Sequence, residues 1–260
     1  MEEIIIDKNF SYLIGLLQTD GNLYETTRNR GKLQLELNIK DEDIIYKISE
    51  LIKYNYKISK RDRVTNFGEN STITIAIHDI NFRYLIKDWG VPAGKKSEII
   101  QPPLHKTGLS INDYIRGLYD GDGSLGYTGS GFPFVSFTTQ SEKIKDFVID
   151  FISKITEKPR KEPKRNKRDN IYNILIFKED AIIFCKEIYP ENCLSINRKY
   201  INAQEIKKWI RPIAMKKIES RKKWDKKQDE FILSNSIEDS MEVLDRTEES
   251  IKMRLWRLKK

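Results

Sequence analysis

Soft-metal and redox chemistry has little to work with in this chain. Its 260 residues include two cysteines, Cys185 and Cys193, and two histidines, His78 and His105. None of the four stands at metal-ligand spacing. That excludes a structural zinc and a histidine-based metal site, and it predicts a reducing compartment. Long apolar runs are missing as well: no stretch approaches the ~20 residues needed to cross a bilayer, and no signal or lipidation segment is read. An intracellular protein without a membrane partner is the expectation. Acidic charge falls short of basic, 39 Asp and Glu against 47 Lys and Arg, for a formal charge of +8. The excess points to a polyanionic partner, although a ribosomal or membrane-surface protein would share it. With 33% charged and 38% hydrophobic residues, the chain has the make-up of one large or two modest globular domains.

What is present is a repeat. The stretch Leu13-Ile14-Gly15-Leu16-Leu17-Gln18-Thr19-Asp20-Gly21 returns as Ile115-Arg116-Gly117-Leu118-Tyr119-Asp120-Gly121-Asp122-Gly123, displaced by 102 positions. Tyr12 and Tyr114 precede the two copies, and Asn9, Ser11, Ser110 and Asn112 are candidate helix caps. Read as helices, Gly15 and Thr19 share one face, as do Gly117 and Gly121. Small residues at this spacing let two helices meet nearly backbone to backbone. An internal helix glycine costs roughly 0.5–1 kcal/mol against alanine, and close packing of the two copies would offset that. Gly21 and Gly123 fall where left-handed caps are expected. Asp20 and Asp122 then end two adjacent helices, each facing a negative dipole end and the other carboxylate. Folding alone does not ask for this, whereas a bound Mg²⁺ would relieve both problems.

The two stretches resemble the LAGLIDADG motif of homing endonucleases, in the arrangement where one chain carries two motifs. The likeness spans about residues 8–210. It implies an α+β fold of two pseudo-symmetric αββαββα repeats that form a DNA-binding saddle, with the motif helices at their interface. It also implies a metal-binding set of Asp20, Asp122, Gly21 and Gly123 that serves DNA cleavage. By alignment with the family, Lys96 and Lys199 are catalytic lysines that polarise water, and Gln140 and Asp41 occupy matching places near the metals. Asp41 departs from the pattern and could instead cap the following helix. Gln18 departs too, standing where the second copy has Asp120, and unequal cutting of the two strands is expected from it.

The rest of the chain reads in the same order twice. Strands are predicted near residues 22–30, 31–39, 56–65 and 71–77, with helices near 41–54 and 79–89 and a loop at 66–70. In the second block the strands are expected near 124–128, 132–139, 159–166 and 171–177, and the helices near 141–156, 179–188 and 198–208. Residues 1–101 form the first repeat and 102–212 the second, with Gln101-Pro102-Pro103 opening the connection between them. A linker is expected at 213–223, followed by a compact module at 224–260.

Lys32, Gln34, Glu36 and Asn38 alternate along one face of a strand, just after Arg28 and Arg30. A two-stranded ribbon fits the DNA major groove, where Lys and Arg read guanine and Asn and Gln read adenine. Arg160, Lys161, Lys164, Arg165, Lys167 and Arg168 crowd the matching hairpin of the second block. Lys60, Arg61 and Arg63 are their counterparts in the first. The family resemblance turns these side chains into phosphate contacts. Residues 132–139 do not alternate cleanly, and Val135 and Phe137 are expected on the DNA side, so different chemistry is expected at the two half-sites.

From Trp224 a three-helix unit is predicted, with helices near 226–235, 237–244 and 248–259 and Thr247 as an N-cap. Phe231, Leu233, Val243, Leu244, Ile251, Leu255 and Leu258 are expected to face inward. The run from Arg246 to Arg254 resembles helix-turn-helix modules of the Myb/SANT kind, which implies that Lys252 and Arg254 enter a major groove.

The combined expectation is a monomeric, site-specific endonuclease acting on double-stranded DNA. It would use Mg²⁺, with Mn²⁺ as a substitute, and the resemblance adds a long target, cleavage across the minor groove and 3′ overhangs. Two rivals remain open: an RNA maturase acting on a host intron, and a non-catalytic transcription regulator built on the same scaffold.

Overall fold

The computed structural model describes residues 5–65, 68–213, 215 and 223–258. The chain divides into two compact units, Met1–Ile210 and Arg211–Lys260. Most of the expected linker at 213–223, part of the loop at 66–70, and Lys259 lie outside the described residues.

The larger unit is an α+β fold in two similar blocks. Helix α1 (Lys8–Thr19) leads directly into β1 (Gly21–Glu25) and β2 (Gly31–Asn38), then α2 (Glu42–Leu51), β3 (Tyr56–Thr65), β4 (Gly68–Ile77) and α3 (Ile80–Asp88). Helix α4 (Ile111–Asp122) opens the second block and runs into β5 (Gly123–Tyr127) and β6 (Pro133–Thr139). Then come α5 (Glu142–Thr156), β7 (Tyr172–Phe177), α6 (Glu179–Ile188) and α7 (Asn197–Lys207). The first sheet has the antiparallel order β1-β2-β4-β3, and the second has the order β5-β6-β7.

The second block therefore departs from expectation at residues 159–166, which form no strand. Pro159 and Pro163 explain this, because neither can donate to a ladder and each biases the residue before it. The segment instead runs irregularly beside β7.

Alternation fixes which face of each sheet is buried. Leu33, Leu35 and Leu37 of β2, with Ile73, Ile75 and Ile77 of β4, are buried together with Ile44, Ile45 and Ile48 of α2 and Phe82 of α3. In the second block Val135, Phe137, Ile174 and Ile176 pack in the core with Ile144, Val148 and Ile152 of α5 and with Phe184 of α6. Val135 and Phe137 are thus interior, contrary to the sequence expectation. Phe134, and Phe132 just before the strand, are apolar residues of the opposite parity, so the period alone does not show which face is turned inward.

Helices α1 and α4 are the seam between the blocks. A Cβ added at Gly15 would lie 2.2 Å from the Tyr114 carbonyl oxygen, and one at Gly117 would lie 2.1 Å from the Tyr12 carbonyl oxygen. The contact is reciprocal, and no side chain larger than hydrogen fits at either point. Gly121 meets Thr19 in the same way, with a built Cβ 1.9 Å from the Thr19 Oγ1. The N-cap of α1 is Asp7, which accepts from the backbone N–H groups of Asn9 and Phe10; neither Asn9 nor Ser11 fills that role. Ser110 stands at the N-cap of α4, though its hydroxyl bonds Asp113 and not the backbone.

The smaller unit contains α8 (Lys226–Ser234), α9 (Ile237–Leu244) and α10 (Glu248–Leu258). Thr247 accepts from the Ser250 N–H at the start of α10. Ile232, Ser240 and Ile251 are its buried residues, whereas Leu233, Val243 and Leu258 are exposed. The inward stripe of α8 passes through Ile232, one position before the residue expected from the sequence.

Candidate functional site

Asp20 is the C-cap of α1, and Asp122 is the last residue of α4. The two helix ends converge, since a Cβ built on Gly121 would come within 3.0 Å of the Asp20 Oδ2. Neither carboxylate receives a hydrogen bond or an ion pair among the described residues. Burial pushes the Asp20 carboxyl up to about 6, and the negative charge of Asp122 adds to the effect. Asp122 reaches solvent, yet crowding by protein atoms raises its carboxyl above the ordinary range, while Lys96 and Lys199 pull it back.

Gly21 and Gly123 do not adopt the expected left-handed conformation. Gly123 is extended, with φ −94° and ψ 162°, and both glycines are the first residues of their strands. Their role is steric. A Cβ would lie 2.6 Å from the Leu17 carbonyl oxygen at Gly21, and 2.5 Å from that of Tyr119 at Gly123. The chain can therefore turn from helix into strand immediately after each aspartate.

Two lysines close the helix ends. The Lys96 Nζ donates to the carbonyls of Leu17, Gln18 and Thr19 at 2.7–2.8 Å. The Lys199 Nζ donates to those of Tyr119, Asp120, Gly121 and Gly123 at 2.5–3.1 Å. Each ammonium thus satisfies carbonyls that a helix C-terminus leaves without partners, and it offsets the negative dipole end beside the carboxylates. Burial lowers Lys96 to about 8 and also lowers Lys199. With their donors directed at carbonyls, both lysines act on the aspartates through charge.

Gln18 and Asp120 stand two residues before these carboxylates, inside the seam. The Tyr12 hydroxyl donates to Asp120 at 2.7 Å, and the Tyr114 hydroxyl donates to the Gln18 side-chain oxygen at 2.5 Å. Beyond this shared pattern the two sites demand opposite polarity. The Gln18 amide donates to the carbonyls of Gly90 and Gln101, while Asp120 accepts from the Tyr189 hydroxyl and the Ile196 N–H. Both side chains are buried. The departure at Gln18 is accounted for by internal hydrogen bonding.

Asp41 is buried and forms a two-pronged pair with Arg198, at 2.6 and 2.8 Å, that ties the first block to α7 of the second. It makes no side-chain cap bond to α2, but its charge contributes to the raised carboxyl of Asp20. Gln140 is half-buried, and its backbone carbonyl accepts from Arg165. Arg198, Tyr12, Tyr114 and Tyr189 are partners that the sequence alone did not identify. The two tyrosines, 102 positions apart like the motif copies, were a readable signal, whereas Arg198 and Tyr189 are brought in only by tertiary structure. Arg116 was missed too; it is fully buried and donates to the carbonyls of Leu194 and Ile188.

The outward face of the first sheet carries Lys32, Gln34, Glu36 and Asn38, with Arg61 and Arg63 opposite Thr72 and Asn70. Glu36 pairs with Arg63 and bonds Gln34 and Thr74, so this face is partly organised. Arg28 and Arg30 are exposed at the β1–β2 turn. Lys60 is different: it pairs across from Ile73, bonds Glu42 of α2, and lies on the helix-covered face. Period two forces this, because Lys60 falls between Ser59 and Arg61.

In the basic segment Lys161, Lys164 and Lys167 are exposed and without partners among the described residues. Arg160 is held by Asp180, Arg165 stacks over Tyr172, and Arg168 pairs with Asp169. In the smaller unit Arg254 forks onto Asp229 at 2.6–2.7 Å, and Lys252 pairs with Glu248. Arg254 thereby ties α10 to α8.

Among the described residues no three His, Cys, Asp or Glu side chains converge as a metal cluster, and no helix is long and apolar enough to cross a membrane. Asp20 and Asp122 form a hard-oxygen pair that receives no hydrogen bond or ion pair among the described residues. This α+β fold is that of LAGLIDADG homing endonuclease structures. Residues 110–189, which contain the second motif, match the family model of a LAGLIDADG-like domain. The chain is similar to the homing endonuclease I-WcaI bound to its DNA recognition sequence, with TM-score 0.54, 17% identity, and coverage of 78% of this chain and 88% of that one. It is also similar to I-SmaMI bound to an uncleaved DNA target in the presence of calcium ions, with TM-score 0.51, 11% identity, and coverage of 77% and 90%. At these identities the likeness is one of fold. No curated protein sequence matches the chain significantly.

Proposed function

We propose that this protein is a site-specific DNA endonuclease that cuts both strands with a divalent cation held at Asp20 and Asp122. The observation that carries the reading is the carboxylate pair itself. Two aspartates are pressed together at the ends of glycine-apposed helices, and no group among the described residues bonds either carboxylate. Their oxygens fit Mg²⁺, which takes one or two carboxylates and keeps several waters for phosphate contacts; Mn²⁺ would suit the same donors. Bound there, the cation would supply activation of the hydrolytic water and charge stabilisation at phosphorus.

The chain's own residues have distinct parts in this reading. Asp20 and Asp122 hold the ion, and Gly21 and Gly123 let the strands leave without covering it. Lys96 and Lys199 fix the helix ends and keep the carboxylates more acidic than burial alone would allow. The polar face of the first sheet and the free lysines at 161, 164 and 167 contact double-stranded DNA. The DNA-bound state of the two structural neighbours supports that partner. The smaller unit would lengthen the footprint through its exposed basic side chains.

The test is a randomised duplex library incubated with the protein and Mg²⁺, beside Asp20→Asn and Asp122→Asn. The wild type is expected to cut a selected sequence and leave 3′ overhangs, while the variants still bind and do not cut. Equal binding and no cutting by all three would make the protein a regulator. Faster splicing of an intron transcript, with Asp20→Asn still competent, would favour the maturase.

A further inference from the structure

Register gives the two sheets a residue-by-residue correspondence. Gly21 pairs with Leu35, and Gly123 pairs with Phe137, so positions 102 apart are equivalent along β2 and β6. Lys32, Gln34 and Glu36 on the outward face of the first sheet are replaced by Phe134, Ser136 and Thr138 on the second. In β7 the outward residues are Asn173, Leu175 and Phe177. Leu175 is 44% exposed and Phe177 is 41% exposed, in a sheet whose other face is fully packed. No charged side chain lies on the outward face of β5, β6 or β7. At the free edge of β7, exposed Lys161 and half-buried Arg160 line a recess with Ile149 and Ile152 of α5 and with Asn173 to Ile176, so a basic margin borders the edge of the apolar strip.

A purely apolar partner would gain nothing from that margin, and a guanine-rich groove would find hydroxyl and amide groups but no Arg or Lys to fork onto O6 and N7. DNA with thymine methyls in its major groove suits both parts. Apolar side chains contact the C5 methyl, an asparagine reads the paired adenine, and lysines meet the flanking phosphates. We propose that the β5-β6-β7 face recognises an A·T-rich half-site through thymine methyl groups, chiefly at Phe134, Leu175 and Phe177. The first sheet would read its own half-site by polar contacts. This rests on the DNA-binding reading above and adds to it the base composition of one half-site.

The experiment uses the intact protein and the duplex selected from the randomised library. Each thymine is replaced in turn by deoxyuridine, which removes only the methyl, and affinity is measured by competition in Ca²⁺. In the half-site bound by the second block, each lost methyl is expected to weaken binding roughly two- to fourfold, the scale of one buried methyl group. Deoxyuridine in the other half should change little. Phe134→Lys, which installs the first block's residue, should erase the thymine preference at one position in a repeated selection. Unchanged affinity for every deoxyuridine duplex, or selection of a G·C-rich sequence in both halves, would overturn the proposal while leaving DNA binding intact. Failure to select any duplex would remove the DNA-binding reading and this inference together.

Discussion

Gln18 and Asp120 occupy equivalent places in the two seam helices and each meets a tyrosine from the opposite helix, yet one donates where the other accepts. Chemical identity at this position is therefore dictated by the loops packed behind each helix. Gln18→Glu keeps the shape and removes the two amide donations to the Gly90 and Gln101 carbonyls. It also sets a carboxylate against those oxygens in a buried site. A loss of about 3 kcal/mol in urea unfolding is expected, at the upper end for an unsatisfied buried group. A variant as stable as the wild type would mean that the amide bonds are not formed.

The reciprocal glycine contact gives a second prediction. Gly15→Ala or Gly117→Ala gains helix propensity but places a methyl about 2 Å from a backbone carbonyl across the seam. Neither neighbour can turn aside as a side-chain tip could. Overpacking of this kind costs about 1–3 kcal/mol and sometimes more, which outweighs the roughly 1 kcal/mol of helix propensity gained. Each variant should be destabilised in urea by about 2 kcal/mol or more. Gly129→Ala, which meets nothing within 4 Å, is the control and should unfold like the wild type.

The sequence exposed the seam because its two copies are in register: the glycines, the terminal aspartates and the preceding tyrosines all recur at one spacing. It also showed the outward face of β2, where alternation is clean. It failed at β6, where Phe134 and the preceding Phe132 compete with Val135 and Phe137 for the inward face, and only the packing of Val135 and Phe137 in the core settles which side is buried. Lys96 and Lys199 were found by alignment, but their contacts with helix carbonyls were not, because those partners lie 76 to 80 residues away in the chain. A separation of 157 residues hid the Asp41–Arg198 pair; the family resemblance placed Asp41 near the metals, with a helix cap as the alternative.

Lys199 is a third test. Lys199→Met keeps the aliphatic stem and leaves four carbonyls at the end of α4 without their donor. It also removes a positive charge that lowers both Asp20 and Asp122. The Asp20 carboxyl should then titrate above about 6, which NMR of labelled aspartate can follow. Lys208→Met changes net charge equally from an exposed position, and it should leave that titration where it is. Equal effects of the two substitutions would mean that Lys199 acts only through net charge.

The raised carboxyl of Asp20 makes stability depend on pH with a definite sign. Its unfolded value is 3.8 and its folded value about 6, so the folded state binds the proton more tightly. The favourable contribution is complete below pH 3.8 and is lost as pH rises through about 6. At neutral pH without metal the charged pair opposes folding, and Asp20→Asn should be more stable than the wild type by about 1–2 kcal/mol after allowance for partial exposure. The advantage should shrink toward zero near pH 4, where the wild-type carboxyl is protonated. Millimolar Mg²⁺ at neutral pH should reverse the order, because a ligand that binds only the folded wild type raises its stability by mass action. Urea melts of both proteins at pH 4 and pH 7.5, with Mg²⁺ or EDTA, check all three arms. A wild type that outlasts Asp20→Asn at pH 7.5 in EDTA would mean that the two carboxylates do not repel in the folded chain.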